Sequence, residues 1–393
     1  MIRTMLSAPV NALRRVDLAL GRRSDRRRIL VDGRTRVNFT MVAPVYRAMA
    51  ADPRIEFYFT ASEEPQRLTE IYSEAGDIRL IHPSAARRSR FDAYVASDFM
   101  WQPLPRGTCR IQIFHGVAGK YGFDAPTQSM RAWDRLFFIN QRRLRNFIAA
   151  GAVDAGSDAI RLVGMPKADC LMDGTYQRDA VLATLGLDPA LPTVLYAPTR
   201  SPASSLNAMG LELVQALKAR PLNLIVKLHD RQRDMREAYS GGVDWVAALE
   251  PLLGPHTVLA PAADISPYLV AADLMITDHS SAGFEFLLQD RPLVRIHRPE
   301  LISLADIHPD YVAMLASASH SVLTPGEAIE AVEGGLADPA AGSASRRAVA
   351  QELFYRPGGA TARSVTEMYE AISLDPLPSH APEREEVPCP SSL

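Results

Sequence analysis

From Arg28 onward the chain alternates short apolar runs with longer amphipathic stretches. Ile29-Leu30-Val31 reads as a buried strand, and Phe39 to Ala51 as a helix that stops before Pro53. Ile55 to Phe59 is a second strand, Gln66 to Ala75 a helix, and Ile78 to Ile81, Ala93 to Ala96 and Arg110 to Phe114 are further strands. Arg135 to Ile139 and Ile160 to Val163 complete the first half. The same grammar then restarts with Val194 to Tyr196, Leu222 to Leu228, Thr257 to Leu259, Leu274 to Thr277 and Leu293 to Ile296. Continuously apolar runs separated by helices belong to parallel sheets covered on both faces. The pattern therefore predicts two doubly wound, Rossmann-like α/β domains facing a cleft. Their expected extents are 28–166 and 167–375, with punctuation by Pro166, Gly174, Gly186 and Pro189 between them. Residues 376–393 carry five prolines and no periodicity, which predicts a disordered tail.

A length of 393 residues suits two such domains. Apolar residues make up 47% and charged residues 22%, as in globular proteins. The formal charge of −2 excludes a chain that binds nucleic acid over its whole surface. It conceals an asymmetry, because residues 1–36 hold ten arginines against three aspartates. In residues 1–27, Ile2, Leu6, Val10, Leu13 and Leu20 recur near helical spacing beside basic residues, and Arg26-Arg27-Arg28 follows. This leader is expected to meet an anionic membrane surface; a solvated leader or an arginine-rich transit peptide is the alternative. Three cysteines with no C-x-x-C fit a reducing cytoplasm, and no apolar run is long enough to span a bilayer.

Chemistry-bearing residues gather where strands end, the edge at which open α/β sheets bind ligands. Phe114-His115-Gly116-Val117-Ala118-Gly119-Lys120 follows one strand directly. An imidazole at a strand end beside a glycine loop suits a general base, with Gly116 and Lys120 in support. Lys227-Leu228-His229 ends the LNLIVKL strand and aims His229 at the cleft. Thr277-Asp278-His279-Ser280-Ser281 lies between a strand and a helix that holds Glu285. Hydroxyls at a helix start form an anion site, so Thr277, Ser280 and Ser281 are expected to hold phosphate. Thr199 and Arg200 follow the Val194 to Tyr196 strand and fit the same anion. Gly359 and Thr361 precede a last helix, Ser364 to Ile372, and read as a second backbone anion nest or as a loop and cap.

G-x-x-x-x-G-K-[ST], G-x-S-x-G and H-E-x-x-H do not occur, nor does a G-x-G-x-x-G after the first strand. No metal site and no cofactor are expected. The ordered set H-G-x-x-x-K, a strand ending K-x-H, T-D-x-S-S-x-x-F-x-F, and a glycine turn before the last helix resembles the CDP-glycerol glycerophosphotransferase family over about residues 105–372. His279, Glu285 and Asp230 stand where that family usually has tyrosine, aspartate and proline. The resemblance implies a glycosyltransferase-B-type fold, a CDP-activated polyol donor, and a polymer or lipid-linked hydroxyl acceptor in cell-envelope synthesis at the inner membrane face. It implies His115 as base toward the acceptor and His229 near the donor pyrophosphate. Two other readings compete. One is a nucleotide-sugar glycosyltransferase or UDP-N-acetylglucosamine 2-epimerase; the other is a non-catalytic nucleotide-binding protein.

Overall fold

The computed structural model describes residues 25–97, 99–105, 107–114, 116–120 and 130–377. His115, nearly all of the basic leader and all but the start of the expected tail lie outside the described residues.

Two six-stranded parallel sheets form the molecule. The first contains β1 (Arg27–Asp32), β2 (Ile55–Thr60), β3 (Ala93–Ala96), β4 (Cys109–Ile113), β5 (Arg135–Phe138) and β6 (Ile160–Leu162), in the order β2-β1-β3-β4-β5-β6. The second contains β7 (Thr193–Tyr196), β8 (Asn223–Val226), β9 (Thr257–Leu259), β10 (Leu274–Thr277), β11 (Leu293–Ile296) and β12 (His320–Val322), in the order β12-β11-β10-β7-β8-β9. All ten strand pairings are parallel. The order reverses direction between β1 and β3 and again between β7 and β10, and such switch points open a crevice at the strand ends. β7, β8, β10 and β11 are buried at every residue, because helices cover both faces of the sheet. This is the doubly wound, two-domain fold expected from the pattern.

Three elements differ from the sequence expectation. Ile78 to Ile81 forms no strand; only Leu80 bridges Phe59 at the sheet edge. Of the helix expected over Gln66 to Ala75, only Leu68–Ile71 is α-helical, after a 3-10 turn at Pro65–Arg67. The third difference is β12, which has no apolar run to mark it in the sequence because two of its three residues are exposed.

The last helix begins at Ala360 and runs to Ala371. It leaves the second half of the chain and packs on the first sheet. Val365, Met368, Tyr369 and Ile372 join Ile29, Val31 and Phe57 in one core. Burial of each such side chain contributes about 1.5–3 kcal/mol. The Tyr369 hydroxyl donates to Asp52 at 3.0 Å. Arg27 of β1 is buried and donates to the carbonyls of Ile372 and Ser373 at 2.6 and 2.8 Å. Arg28 pairs with Glu56 at 3.1 Å. Arg27 is thus part of the fold and is withdrawn from the lipid-facing role expected of the basic leader.

Candidate active site

The β7 and β10 ends lie side by side at the second switch point, with Ile276 opposite Tyr196. Asp278 follows β10 and is fully buried. Its Oδ1 accepts the N–H groups of Thr199 and His279 at 2.8 and 2.7 Å. Its Oδ2 accepts the N–H and hydroxyl of Ser205 at 3.0 and 2.9 Å. One carboxylate therefore fixes the Thr199-Arg200 turn and the start of the helix Ser205–Lys218. Asp278 thereby braces both loops from beneath.

Thr277 does not hold phosphate. Its hydroxyl is fully buried and donates to the Ala197 carbonyl at 2.6 Å, so it closes the gap between the two strand ends. The Thr199 hydroxyl, in contrast, is buried and has no hydrogen-bond partner among the described residues. Such a group costs stability unless a ligand satisfies it. The Ser280 hydroxyl accepts the Ala282 N–H at 3.3 Å, and Ser281 stays exposed without a capping bond. The helix they precede, Ala282–Phe286, is only five residues long. A helix this short offers only a weak dipole to an anion.

His229 follows β8 and its extension through Leu228. Its backbone N–H donates to Gln232 Oε1 at 2.8 Å, and its Nδ1 accepts the Arg231 N–H at 3.1 Å. An accepting Nδ1 places the imidazole proton on Nε2. The ring is accessible from the cleft. The crowded cleft walls, and then the positive charges of Arg200, Lys227, Arg231 and Lys120, push its pKa down to about 3. His229 is therefore a neutral Nε2–H donor at physiological pH.

Four cations from separate elements act on this one ring. Arg200 stacks over Tyr239 at 5.1 Å, and Arg231 does so at 5.2 Å. Lys120 reaches in from the first domain. Its carbonyl accepts the His308 N–H at 2.9 Å, and its ammonium lies 5.8 Å from the Tyr311 ring centroid. Enclosure lowers its pKa to about 8, with Asp278 opposing the shift and Arg200 adding to it. Gly116 accepts a bond from Arg143 at 2.9 Å through its carbonyl. Positive charge concentrated in a recessed cleft attracts an anion strongly.

A cavity of about 140 Å³ lies between the domains, lined by His229, Ser280, Ser281, Thr40, Lys167 and Glu285. Lys167 and Glu285 are both buried and form an ion pair at 2.5 Å. Burial alone would push the ammonium pKa down, but the Glu285 carboxylate beside it holds it above the usual lysine range. Sequence reasoning included Glu285 and missed Lys167. Lys167 sits one residue after Pro166 in the linker, away from any strand end, and no spacing marks it.

The second expected phosphate site, Gly359 and Thr361, is an anion nest that the protein fills itself. Asp169 accepts the N–H groups of Gly358 at 2.9 Å, Ala360 at 3.1 Å and Thr361 at 2.6 Å. The Thr361 hydroxyl points to the Pro166 carbonyl at 3.4 Å. The backbone N–H groups of Gly358, Ala360 and Thr361 are thus taken by an internal carboxylate. Among the described residues no three His, Cys, Asp or Glu side chains gather as a metal site.

Known structures share this architecture. A structure of the wall teichoic acid polymerase TagF, in a variant soaked with CDPG, superposes with a TM-score of 0.68 at 16% identity, covering 95% of this chain and 98% of that one. A UDP-N-acetylglucosamine 2-epimerase from Listeria monocytogenes matches at 0.58 and 15% identity, over 88% of this chain and 96% of that one. MnaA of S. aureus with UDP matches at 0.56 and 12%, over 89% and 98%. At these identities the likeness shows the fold. A search of curated protein sequences finds no match. The family model of the CDP-glycerol:poly(glycerophosphate) glycerophosphotransferases spans residues 37–367, and the chain belongs to that family.

Proposed function

We propose that the protein transfers a glycerophosphate group from a CDP-activated polyol to a hydroxyl of a poly(glycerophosphate)-type or lipid-linked acceptor at the inner membrane face. The observation that supports this reading is the cationic cleft around His229, on which Arg200 and Lys120 act electrostatically and whose cavity Ser280 and Ser281 line. The donor pyrophosphate takes the place between these groups. The His229 Nε2–H and the Thr199 hydroxyl donate to its oxygens, and Arg200 and Lys120 balance its charge. The acceptor oxygen attacks the distal phosphorus in line and forms the new P–O bond. The bond from that phosphorus to the bridging oxygen breaks, and CMP leaves with the electron pair. The acceptor proton passes to His115, in the role the H-G-x-x-x-K pattern implies. Catalysis of this kind rests on positioning and charge stabilisation.

Incubation with CDP-glycerol, CDP-ribitol and UDP-sugars, read as released nucleotide, tests the reading. CMP from a CDP-polyol supports it. UDP from a sugar donor with the CDP-polyols untouched overturns it in favour of a sugar transferase. Tight nucleotide binding without any release favours a non-catalytic protein.

A further inference from the structure

The helix Pro309–Ser317 belongs to the second domain, yet its first turn touches the first. His308 caps it by accepting the Asp310 N–H on Nδ1 at 3.2 Å, while its own N–H donates to the Lys120 carbonyl at 2.9 Å. Asp310 pairs with Arg142 of the first domain at 3.5 Å. Tyr311 and Leu315, one helical turn apart, form the buried face of this helix.

A buried tyrosine needs a partner for its hydroxyl. That of Tyr311 donates to the His279 carbonyl at 3.2 Å. The His279 peptide is therefore pinned at both ends, because its N–H already donates to Asp278 at 2.7 Å. The residues that follow are Ser280 and Ser281, which line the His229 cavity. The Tyr311 ring meets Phe284 edge-on, with centroids 5.0 Å apart, and so packs against the helix that continues the serine turn. Over the same ring, at 5.8 Å, lies the ammonium of Lys120. One side chain thus touches the serine turn of the second domain and the cation that the first domain brings to His229. No spacing marks Tyr311 in the sequence, since it stands 32 positions past His279 in a different helix.

We propose that Tyr311 is a positioning residue for the donor: its hydroxyl sets the serine turn and its ring seats Lys120, so that the two domains present their phosphate-binding groups in register. The proposal rests on the transferase reading above, and its test is a binding measurement that needs no turnover. Charged and titratable groups that face the Lys120 ammonium are Asp278 and Arg200, from the loops after β10 and β7, with His229 and His279 beside them. Enclosure is the main cause of its lowered pKa of about 8, and the Tyr311 ring is part of that enclosure.

CDP is titrated calorimetrically into the full chain at a series of pH values on either side of about 8, with thermal midpoints measured in parallel. Wild-type affinity should fall as pH rises through that value. Tyr311→Phe keeps the ring and its packing on Phe284. Its affinity should be about three- to tenfold weaker below and above the step, the loss of one hydrogen bond, with the pH midpoint unmoved. Tyr311→Leu opens the ammonium to water, so the midpoint should move up toward the ordinary lysine value of 10.5. Wild-type CDP affinity in Tyr311→Phe, whatever its thermal midpoint, gives the hydroxyl a packing role only and overturns the proposal. A midpoint moved as far by Tyr311→Phe as by Tyr311→Leu overturns it too, as does wild-type protein that fails to bind CDP. Tyr311→Phe decides the case alone where Tyr311→Leu does not fold. CDP binding as expected without release of CMP from CDP-glycerol would instead defeat the transferase reading and leave the assignment of Tyr311 standing.

Discussion

Asp169 and Thr361 lie 192 positions apart in the chain, and the Thr361 N–H donates to the Asp169 carboxylate at 2.6 Å. With Gly358 and Ala360 as further donors, this contact ties the linker between the sheets to the helix that returns to the first domain. Asp169→Asn keeps the shape but turns an amide N–H toward backbone N–H groups. A loss of about 1–3 kcal/mol is expected, measured as a lower urea midpoint at constant slope. An unchanged midpoint would show that the nest holds no structural weight.

The Lys167–Glu285 pair spans the linker and the helix below the serine turn. Lys167→Met leaves a buried carboxylate without its cation, which costs about 3–5 kcal/mol. Adding Glu285→Leu removes the stranded charge and should restore most of that stability. Equal denaturation curves for the single and double variants would contradict the account.

Lys120 carries a pH signature. Its pKa of about 8 means the ammonium is charged below that value and neutral above it. If the charge helps to hold the donor, kcat/KM for the donor falls as pH rises through about 8. In Lys120→Arg the limb should move beyond pH 10, because guanidinium keeps its proton. Stability runs the other way. An unfolded lysine titrates near 10.5, so the unfolded chain binds more protons between pH 8 and 10.5 and stability rises with pH there. A basic limb that stays in place in Lys120→Arg would assign it to another group.

The basic leader supplies a prediction on localisation. Among the described residues no helix is long and apolar enough to cross a membrane. Sedimentation with anionic liposomes should pull down the full chain, lose the chain truncated before Asp25, and weaken as salt rises. Equal sedimentation of both proteins would place the membrane contact elsewhere or nowhere.

The strand-end loops were legible because buried parallel strands are apolar throughout and stop abruptly where chemistry begins, as LNLIVKL does before His229. Backbone-binding potential was legible too: Gly358-Gly359-Ala360-Thr361 does form an anion nest. Which anion fills it depends on Asp169, brought there only by the tertiary fold. Thr277 illustrates the same limit. Its neighbours in sequence suggest phosphate, but its hydroxyl donates to the facing carbonyl of Ala197, just past the end of β7. Lys167 escaped notice because its partner Glu285 lies 118 positions away.

The central claim is that one glycerophosphate moves to the acceptor for each CMP released, with His229 donating to the donor phosphates. Mass spectrometry of a short hydroxyl-ended acceptor after incubation with CDP-glycerol measures this directly. The account predicts a gain of whole glycerophosphate units, equimolar CMP, and a rate lower by about 10²–10³ in His229→Ala, the loss expected for one preorganised donor. An acceptor of unchanged mass, or a His229→Ala variant that extends it at the wild-type rate, would contradict it.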